Sequence, residues 1–296
     1  MNSILILRGG ALGDFLVTIP ALRLLRERWP GARIELVGNQ SAAELALRDG
    51  LIAAAHSQHE ARWAPLHGDV ALARPLADWL GGFDLVVNWW PDPDGALASH
   101  FPVRRGQQFV AGEAKPTTAP AGRHFCTTLE QLGIPLRVPS ATLGFAREMP
   151  MDAARGRRVA IHPGSSSPRR NWPLERWLEV CRRLRGAGRE VFVVCGEVEE
   201  GIVRRFEGEA IVKAGLPLVD LALLLGRCES YAGHDTGVTH LAAAAGCRVT
   251  ALFGPSDPAI WAPSEACVLK RGDDVAAISV DEVCEAILGE SSSRDS

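Results

Sequence analysis

The sequence lacks the features that would indicate a membrane-spanning or a nucleic-acid-binding protein. No apolar run in its 296 residues approaches the roughly 18 that a transmembrane helix needs. The N-terminus begins with a strand-like run and has neither the basic start nor the cleavage site of a signal peptide. The formal net charge is -3, so bulk electrostatics do not favour nucleic acid as a partner. We therefore expect a cytoplasmic globular protein.

Paired cysteines are also missing. The seven cysteines are widely scattered, none forms a C-x-x-C pair, and most have apolar neighbours. This pattern favours buried, reduced thiols over disulfides or a zinc site. The thiols concerned are Cys126, Cys181, Cys195, Cys228, Cys247, Cys267 and Cys284.

Short apolar runs alternate with amphipathic stretches along the whole chain. This alternation predicts parallel sheets covered by helices, and therefore an α/β protein. Between about 135 and 157 the pattern weakens and prolines punctuate the chain. We therefore expect two Rossmann-like domains, residues 1–150 and 151–290, followed by a disordered tail, 291–296. Ligand sites in such folds lie at the carboxyl ends of the strands, and two facing edges would form a cleft.

Individual elements can be placed from the same pattern. In the first half we expect a strand over Ile4–Leu7, one helix over Phe15–Trp29 and a strand over Ile34–Val37. A further helix is expected over Phe125–Leu132, ended by Gly133.

The first glycine-rich loop runs from Gly9 to Asp14, directly after an apolar strand. It resembles the dinucleotide fingerprint G-x-G-x-x-G only loosely, and its register is wrong. Asp14 is a carboxylate where a phosphate-cradling loop would want no negative charge. The spacing favours Asp14 as a first-turn cap of the next helix and leaves a catalytic role as the alternative.

A second loop, H-P-G-S-S-S-P-R-R-N-W-P, occupies residues 162–173 between a predicted strand and a predicted helix. Small hydroxyl side chains, a flexible glycine and two arginines suit an anion, because arginine matches phosphate oxygens with paired hydrogen bonds. A solvated loop is the alternative, and the loop alone leaves the two about equal.

A third loop, G-H-D-T-G-V-T-H, occupies residues 233–240. The backbone N–H groups of 236–238 could point at a pyrophosphate from a helix N-terminus. Asp235 would repel that phosphate unless it faced a hydroxyl-bearing part of the ligand. His240, one turn into the helix, would point back toward the same loop, with a core histidine as the alternative.

Two other segments contain residues that favour turns. F-G-P-S-D-P at 253–258 is by itself only a turn. Asp92-Pro93-Asp94 follows an apolar strand, as in many metal-dependent sugar transferases, and two carboxylates could hold Mg²⁺ or Mn²⁺. We prefer a proline-directed turn with Asp94 capping a helix, and keep metal binding as the alternative.

Together these loops resemble the signatures of glycosyltransferase family 9, the heptosyltransferases. R-G-G-A-L-G-D-x-x-x-T-x-P-A-L-R is close to the family's opening signature, and four more segments follow in the family's order: H-P-G-S-S, R-N-W-P, D-T-G-V-T-H-L-A-A-A and F-G-P-S-D-P. The resemblance covers nearly the whole chain and is weakest from about 50 to 150. It implies a GT-B fold, two Rossmann-like domains with parallel sheets facing across a cleft, and no metal ion.

The resemblance also implies an activity and a set of site residues. The activity is inverting transfer of heptose from ADP-heptose to a lipopolysaccharide inner-core or related acceptor hydroxyl, with Asp14 as general base and no cofactor. Arg170 stands where the family usually has lysine, which keeps the charge but changes the geometry. The implied donor-binding residues are Ser165, Ser166, Arg170, Glu200 (or Glu199, with a one-residue shift), Asp235, Thr236, Gly237 and His240. The implied acceptor or cleft loop contains Gly9, Gly10, Gly13 and Thr18.

The expected partners are a nucleotide sugar and a glycolipid or oligosaccharide acceptor, with peripheral contact at the cytoplasmic face of the inner membrane left open. Two alternatives remain: a glycosyltransferase of the same fold that uses another nucleotide sugar, and a nucleotide-sugar-binding protein that has lost catalysis. Retention of Asp14 argues against the second. Between 50 and 150 the candidate acceptor residues are Arg62, Trp63, Asp92, Asp94 and His100.

Overall fold

The chain divides into two compact units. The computed structural model describes residues 1–68, 70–148, 154–196 and 200–289. The units are Met1–Ala141 and Thr142–Ser296. The predicted domain boundary at 150/151 and the predicted tail, 291–296, lie outside the described residues. Residues ahead of that boundary already belong to the second unit, because the Leu143 N–H donates to the Ala244 carbonyl at 2.8 Å.

The first unit is a parallel sheet covered by helices. Its strands are β1 (Ser3–Arg8), β2 (Arg33–Gly38), β3 (Ala54–Ser57), β4 (Leu85–Asn88) and β5 (Gln108–Ala111). They pair in the order β3-β2-β1-β4-β5, all parallel. The helices are α1 (Leu12–Leu16), α2 (Ile19–Arg28), α3 (Gln40–Arg48), α4 (Arg74–Leu80), α5 (Ala96–His100) and α6 (Ala121–Thr128), with 3-10 turns at Ala61–His67 and Leu129–Leu132.

The second unit repeats this architecture. Its strands are β6 (Arg158–His162), β7 (Glu190–Cys195), β8 (Ile211–Ala214), β9 (Ser230–His234), β10 (Arg248–Phe253) and β11 (Cys267–Lys270), in the order β11-β10-β9-β6-β7-β8, all parallel. Its helices are α7 (Gly144–Arg147), α8 (Leu174–Gly186), α9 (Glu200–Phe206), α10 (Leu218–Gly226), α11 (Gly237–Ala244), α12 (Pro258–Trp261) and α13 (Val280–Leu288), with 3-10 turns at Arg155–Arg157, Pro168–Arg170 and Val275–Ala277. Within the described ranges, none of the helices has the length and apolarity that crossing a bilayer requires.

The central strands are apolar because helices cover both faces of each sheet. Residues 4–7 of β1 are fully buried, as the continuous run I-L-I-L predicts for a parallel strand. In the second unit Trp172, Trp177 and Phe206 belong to the core cluster that packs on the sheet. The core of each unit therefore holds the strand ends, from which the loops emerge, in fixed positions.

The predicted helix Phe15–Trp29 is wrong as a single element, because the chain forms α1 and α2 with a break at Val17 and Thr18. Pro20 lies in the first turn of α2, where a backbone N–H has no acceptor within the helix, so its missing N–H costs nothing there. Inside one continuous helix the same proline would remove a hydrogen bond, so α1 ends before it. The helix α3 was not predicted, although Asn39 caps it by accepting the Ala42 N–H at 3.1 Å.

All seven cysteines are free thiols, and six of them are buried, which confirms the prediction for those six. Burial raises the pKa of Cys126 and of Cys228 to about 12, so neither is a nucleophile at neutral pH. Cys267, at the start of β11, is exposed.

Candidate active site

The order of the strands in the two parallel sheets determines where the predicted ligand-binding loops lie. In the first unit the strand order changes direction between β1 and β4, and in the second unit between β6 and β9. In parallel α/β sheets, ligands bind outside the carboxyl ends of strands at this switch point. The glycine-rich loop follows β1, the serine–arginine loop follows β6 and the D-T-G loop follows β9. All three of these loops thus emerge at switch points.

Asp14 is the third residue of α1, and its carboxylate caps that helix. Its Oδ2 accepts the backbone N–H of the N-cap residue Ala11 at 3.0 Å. The cap interpretation of the spacing is confirmed by this contact. The side chain is still 39% exposed, so the cap leaves the carboxylate open to a ligand.

Arg8, the last residue of β1, supports Asp14 and was missed in the sequence. Its side chain is 4% exposed and lies over the Phe125 ring at 4.6 Å. Its Nε and Nη2 donate to the Asp14 carbonyl at 3.2 and 2.8 Å, and Nη2 lies 3.6 Å from Asp14 Oδ1. Burial lowers the pKa of Arg8 to about 10, opposed by the charge of Asp14, so the guanidinium stays protonated at neutral pH. The sequence did contain one signal for Arg8, namely a charged residue at the end of an apolar strand.

The glycines ahead of Asp14 permit a close approach of the backbone. Gly10 has φ +109°, and a Cβ built there would lie 2.8 Å from Asp14 Oδ2. A Cβ at Gly9 would lie 2.9 Å from Gln58 Oε1. Gly13 is in α1, and Thr18 is fully buried with its hydroxyl donating to the Phe15 carbonyl at 2.5 Å. Thr18 therefore joins α1 to α2 and does not line the loop surface.

The serine–arginine loop is tied together internally. Ser165 Oγ lies 2.6 Å from Asn171 Oδ1 and 2.8 Å from the Ser167 carbonyl, and it accepts the Ser167 N–H at 3.2 Å. Ser166 Oγ accepts from Arg170 Nη2 at 3.0 Å and is exposed. Ser165 thus shapes the loop, whereas Ser166 and Arg170 present a hydroxyl and a cation together.

Arg170 also connects this loop to the D-T-G loop. Its Nη1 donates to the Asp235 carbonyl at 2.9 Å and lies 3.7 Å from Asp235 Oδ2. Thr236 is the N-cap residue of α11 with an extended backbone, and Gly237 is the first residue of that helix. His240 follows one turn later and is half-buried. The structure therefore brings together Ser165, Ser166, Arg170, Asp235, Thr236, Gly237 and His240 in one unit.

His234 ties the serine–arginine loop to the end of β9 and was not singled out in the sequence. It is fully buried at the end of β9. Its Nε2 accepts the backbone N–H of Trp172 at 2.8 Å, so its Nδ1 carries the proton and donates to the Gly164 carbonyl at 3.2 Å. One neutral ring thereby ties both ends of the serine–arginine loop to the strand that precedes Asp235.

The remaining predicted residues have other positions. Glu200 is the first residue of α9, and Glu199 lies outside the described residues. The F-G-P-S-D-P segment is the predicted turn, with Asp257 Oδ1 accepting the Ala259 N–H at 2.9 Å; Lys270 Nζ donates to the Gly254 and Ser256 carbonyls. Among the candidate acceptor residues, Arg62 and Trp63 lie in the 3-10 turn Ala61–His67, and His100 ends α5.

The D-x-D segment is a helix cap. Asp92 Oδ1 and Oδ2 accept the N–H groups of Leu97 and Ala98, both at 2.9 Å, and Asp94 Oδ1 accepts the Ala96 N–H at 3.2 Å. Asp92, more than Asp94, caps α5. Across the ranges that the structure describes, no three His, Cys, Asp or Glu side chains gather in a way that could hold a metal ion.

A pocket of about 530 Å³ adjoins the glycine-rich loop within the first unit. One wall is the backbone of Gly9 and Gly10, and the rest comes from the segment after β3 and the residues that follow β4. These are Gln58, His59, Glu60, Ala61, Trp63, Ala64, His67, Trp90 and Pro91.

The arrangement of two parallel-sheet units defines a class, the GT-B fold, and solved structures confirm it. A family 9 glycosyltransferase from Veillonella parvula matches with a TM-score of 0.75 at 21% identity, covering 98% of both chains. Escherichia coli heptosyltransferase WaaC, solved with ADP-2-deoxy-2-fluoro heptose, matches with a TM-score of 0.75 at 18% identity, covering 98% of this chain and 100% of that one. The predicted α/β fold is thus confirmed.

Sequence comparison gives the family. The family model for glycosyltransferase family 9 (heptosyltransferase) matches residues 127–283, more than half of the chain. Lipopolysaccharide heptosyltransferase 1 of Pseudomonas aeruginosa is 26% identical over 289 residues, which cover 86% of this chain and 79% of that one. The chain belongs to glycosyltransferase family 9 and is a glycosyltransferase.

The conformation of Gly10 generates a first prediction. Gly10→Ala should lower the free energy of unfolding by about 1–3 kcal/mol, because alanine disfavours a positive φ and its Cβ meets the Asp14 carboxylate. Urea denaturation measures the change. The matched control is Gly31→Ala, where a Cβ meets no atom within 4 Å and which should change stability by less than about 0.5 kcal/mol. Equal effects of the two substitutions would contradict the account.

The hydrogen bonds of His234 generate a second prediction. His234→Phe keeps a ring against Trp177 but removes the acceptor of the buried Trp172 N–H. Leaving that donor unpaired should lower the free energy of unfolding by about 1–3 kcal/mol in urea denaturation. The exposed His59 serves as control, and His59→Phe should stay within about 0.5 kcal/mol of the unsubstituted protein. An unchanged His234→Phe protein would show that the bond is dispensable.

Proposed function

We propose that this protein transfers heptose from ADP-heptose to a hydroxyl of a lipopolysaccharide-type saccharide, with inversion at the anomeric carbon and without a metal ion. Membership of the heptosyltransferase family supports the transfer. The donor is supported by WaaC, which has been solved with ADP and with an ADP-heptose analogue, and the acceptor by the name of the Pseudomonas relative. We place the reaction in the cytoplasm, with peripheral membrane contact if the acceptor is lipid-linked.

The observation that carries the mechanism is the half-exposed carboxylate of Asp14 beside a buried arginine. Oδ2 is engaged by one backbone N–H, and Oδ1 lies 3.6 Å from a guanidinium that is itself bonded to the backbone. The acceptor hydroxyl attacks the anomeric carbon opposite the departing diphosphate, its oxygen–hydrogen bond breaks, and Asp14 accepts the proton. The bond from the anomeric carbon to the diphosphate oxygen breaks, and ADP leaves with that electron pair.

The leaving group gathers negative charge, which the second unit is built to receive. Arg170 and the Ser166 hydroxyl lie 3.0 Å apart on one loop, and the N-terminus of α11 begins beside Asp235. A guanidinium and helix N-terminal N–H groups stabilise a diphosphate without rearrangement during the reaction. Asp235, with its side chain 12% exposed and beside Arg170, would then face the sugar hydroxyls and not the phosphates.

The same arrangement accounts for metal independence in this proposal. A divalent ion in a sugar transferase offsets the charge of the leaving diphosphate. Here Arg170 supplies a positive charge at that place, and the D-x-D carboxylates that could have held an ion are occupied in capping α5.

Asp14→Asn tests the base. An amide keeps an oxygen for the Ala11 N–H, so the cap survives, but it cannot accept the proton. Turnover, measured as ADP released from ADP-heptose and a lipopolysaccharide core acceptor, should fall by about 100-fold or more, with donor affinity unchanged.

The matched control for this assay is Asp49→Asn. Asp49 is also paired with an arginine, Arg23, at 2.9 Å in the same unit, and its substitution should leave turnover near that of the original protein. Full activity of Asp14→Asn would contradict the mechanism. Loss of the original protein's activity in EDTA would contradict metal independence.

Arg170→Met tests the donor site and the donor together. ADP-heptose should raise the thermal midpoint of the original protein by mass action, and Arg170→Met should weaken the apparent affinity by about tenfold or more. The neighbouring Arg169 is exposed, and Arg169→Met is expected to retain the shift. A larger thermal shift with a UDP-sugar than with ADP-heptose would show that the donor assignment is wrong.

A further inference from the structure

We propose that the pocket beside the glycine-rich loop binds an uncharged sugar ring of the acceptor, a step that rests on the proposed function. The acceptor class follows from the aromatic and hydrogen-bonding side chains that line the pocket, and from the lack of lysine and arginine among its described lining residues. The substrate selected would be a neutral hexose or heptose unit, not one that carries a carboxylate or a phosphate at this position.

The size of the pocket suits a saccharide. Its volume of about 530 Å³ falls within the range of about 300–1,000 Å³ that is usual for small-molecule sites. The described lining residues all belong to the first unit.

The aromatic part of the lining is ordered by ring stacking. His67 is exposed and stacks on Trp90 with centroids 5.7 Å apart and planes 27° apart. Trp63 meets Trp90 edge-on at 6.3 Å. Sugar rings carry apolar C–H faces as well as hydroxyls, and rigid aromatic side chains offer a large contact area to such faces at low cost in conformational entropy.

The polar part of the lining can bond hydroxyls. Gln58 Oε1 accepts the Gly10 N–H at 3.1 Å, and its amide nitrogen lies 3.3 Å from His59 Nε2. The indole N–H of Trp90 has no acceptor among the described residues. It lies next to Gly9, where a Cβ would come within 3.3 Å of Trp90 Nε1. Absence of a side chain at Gly9 therefore keeps this donor accessible.

Charge on the lining argues against an anionic ligand. Among the described lining residues there is no lysine or arginine, and the carboxylate of Glu60 is paired with Arg62 at 3.0 Å. Arg62 is in turn held over the Trp63 ring at 4.2 Å. Because Arg62 is already engaged by Glu60 and the Trp63 ring, an anionic group in the pocket would find no lysine or arginine of the described wall to pair with, which selects against such ligands.

The pocket also adjoins the proposed base. Gly10 forms part of its wall and bonds Gln58, while the same glycine lies against Asp14, as the 2.8 Å separation of a built Cβ from Oδ2 indicates. A ring held by the aromatic wall can therefore direct one hydroxyl along the glycine backbone to Asp14. This placement connects acceptor selection to catalysis.

Saturation-transfer NMR titration without any donor tests the inference. The probes are methyl α-D-mannopyranoside and its anionic counterpart mannose 6-phosphate. The neutral glycoside should bind saturably and more tightly than the phosphate. Affinity should fall by about fivefold or more in His67→Ala, which changes an exposed residue, and in Trp90→Phe, which keeps a ring but removes the N–H. Trp29→Leu, a half-buried tryptophan at the end of α2, is the matched control and should bind normally.

Several outcomes would overturn the inference. These are tighter binding of mannose 6-phosphate, no saturation by the neutral glycoside at millimolar concentrations, and equal affinities in the original protein, His67→Ala and Trp90→Phe. An equal loss in Trp29→Leu would place the binding elsewhere. Because no nucleotide sugar is present, a failed titration is distinct from failure of the proposed function, which the release of ADP reports.

Discussion

Parallel strand pairing is the constraint on which the rest of this structure depends. Every strand pair that the structure describes is parallel, so each strand delivers its following loop to the same edge of its sheet. In each unit the order reverses at one place, between β1 and β4 or between β6 and β9. There the helices diverge and loops can reach a ligand. The glycine-rich, serine–arginine and D-T-G loops therefore lie where the fold allows chemistry.

Each unit uses the same local device at that edge. Arg8 donates to the carbonyl of Asp14 at 2.8 Å and lies 3.6 Å from its carboxylate. Arg170 does the same to Asp235, at 2.9 and 3.7 Å. The guanidinium is committed to the main chain, which positions the aspartate without closing off its oxygens. The two carboxylates differ in exposure, 39% for Asp14 against 12% for Asp235, which supports the proposed roles of Asp14 in proton transfer and of Asp235 in orienting the ligand.

The sequence predicted the architecture better than the contacts inside the sites. Apolar runs located the central strands because those strands are buried on both faces, whereas the less buried β3, β5 and β11 were not predicted. Asp14 was correctly placed as a first-turn cap because capping depends on neighbouring residues. His234 could not be found in this way, since its partner Trp172 is distant in sequence and only the folded second unit brings the two together. Arg8 was missed for the same reason: its contacts with Phe125 and Ala114 come from the far end of the first unit.

The central claim is that Asp14 assists a single displacement at the anomeric carbon. The most direct measurement is proton NMR of the first-formed glycoside, recorded during turnover of ADP-heptose with a saccharide acceptor. The account predicts that the new glycosidic bond has the anomeric configuration opposite to that of the donor. Retention of the donor configuration would require a second displacement, and would contradict the role assigned to Asp14.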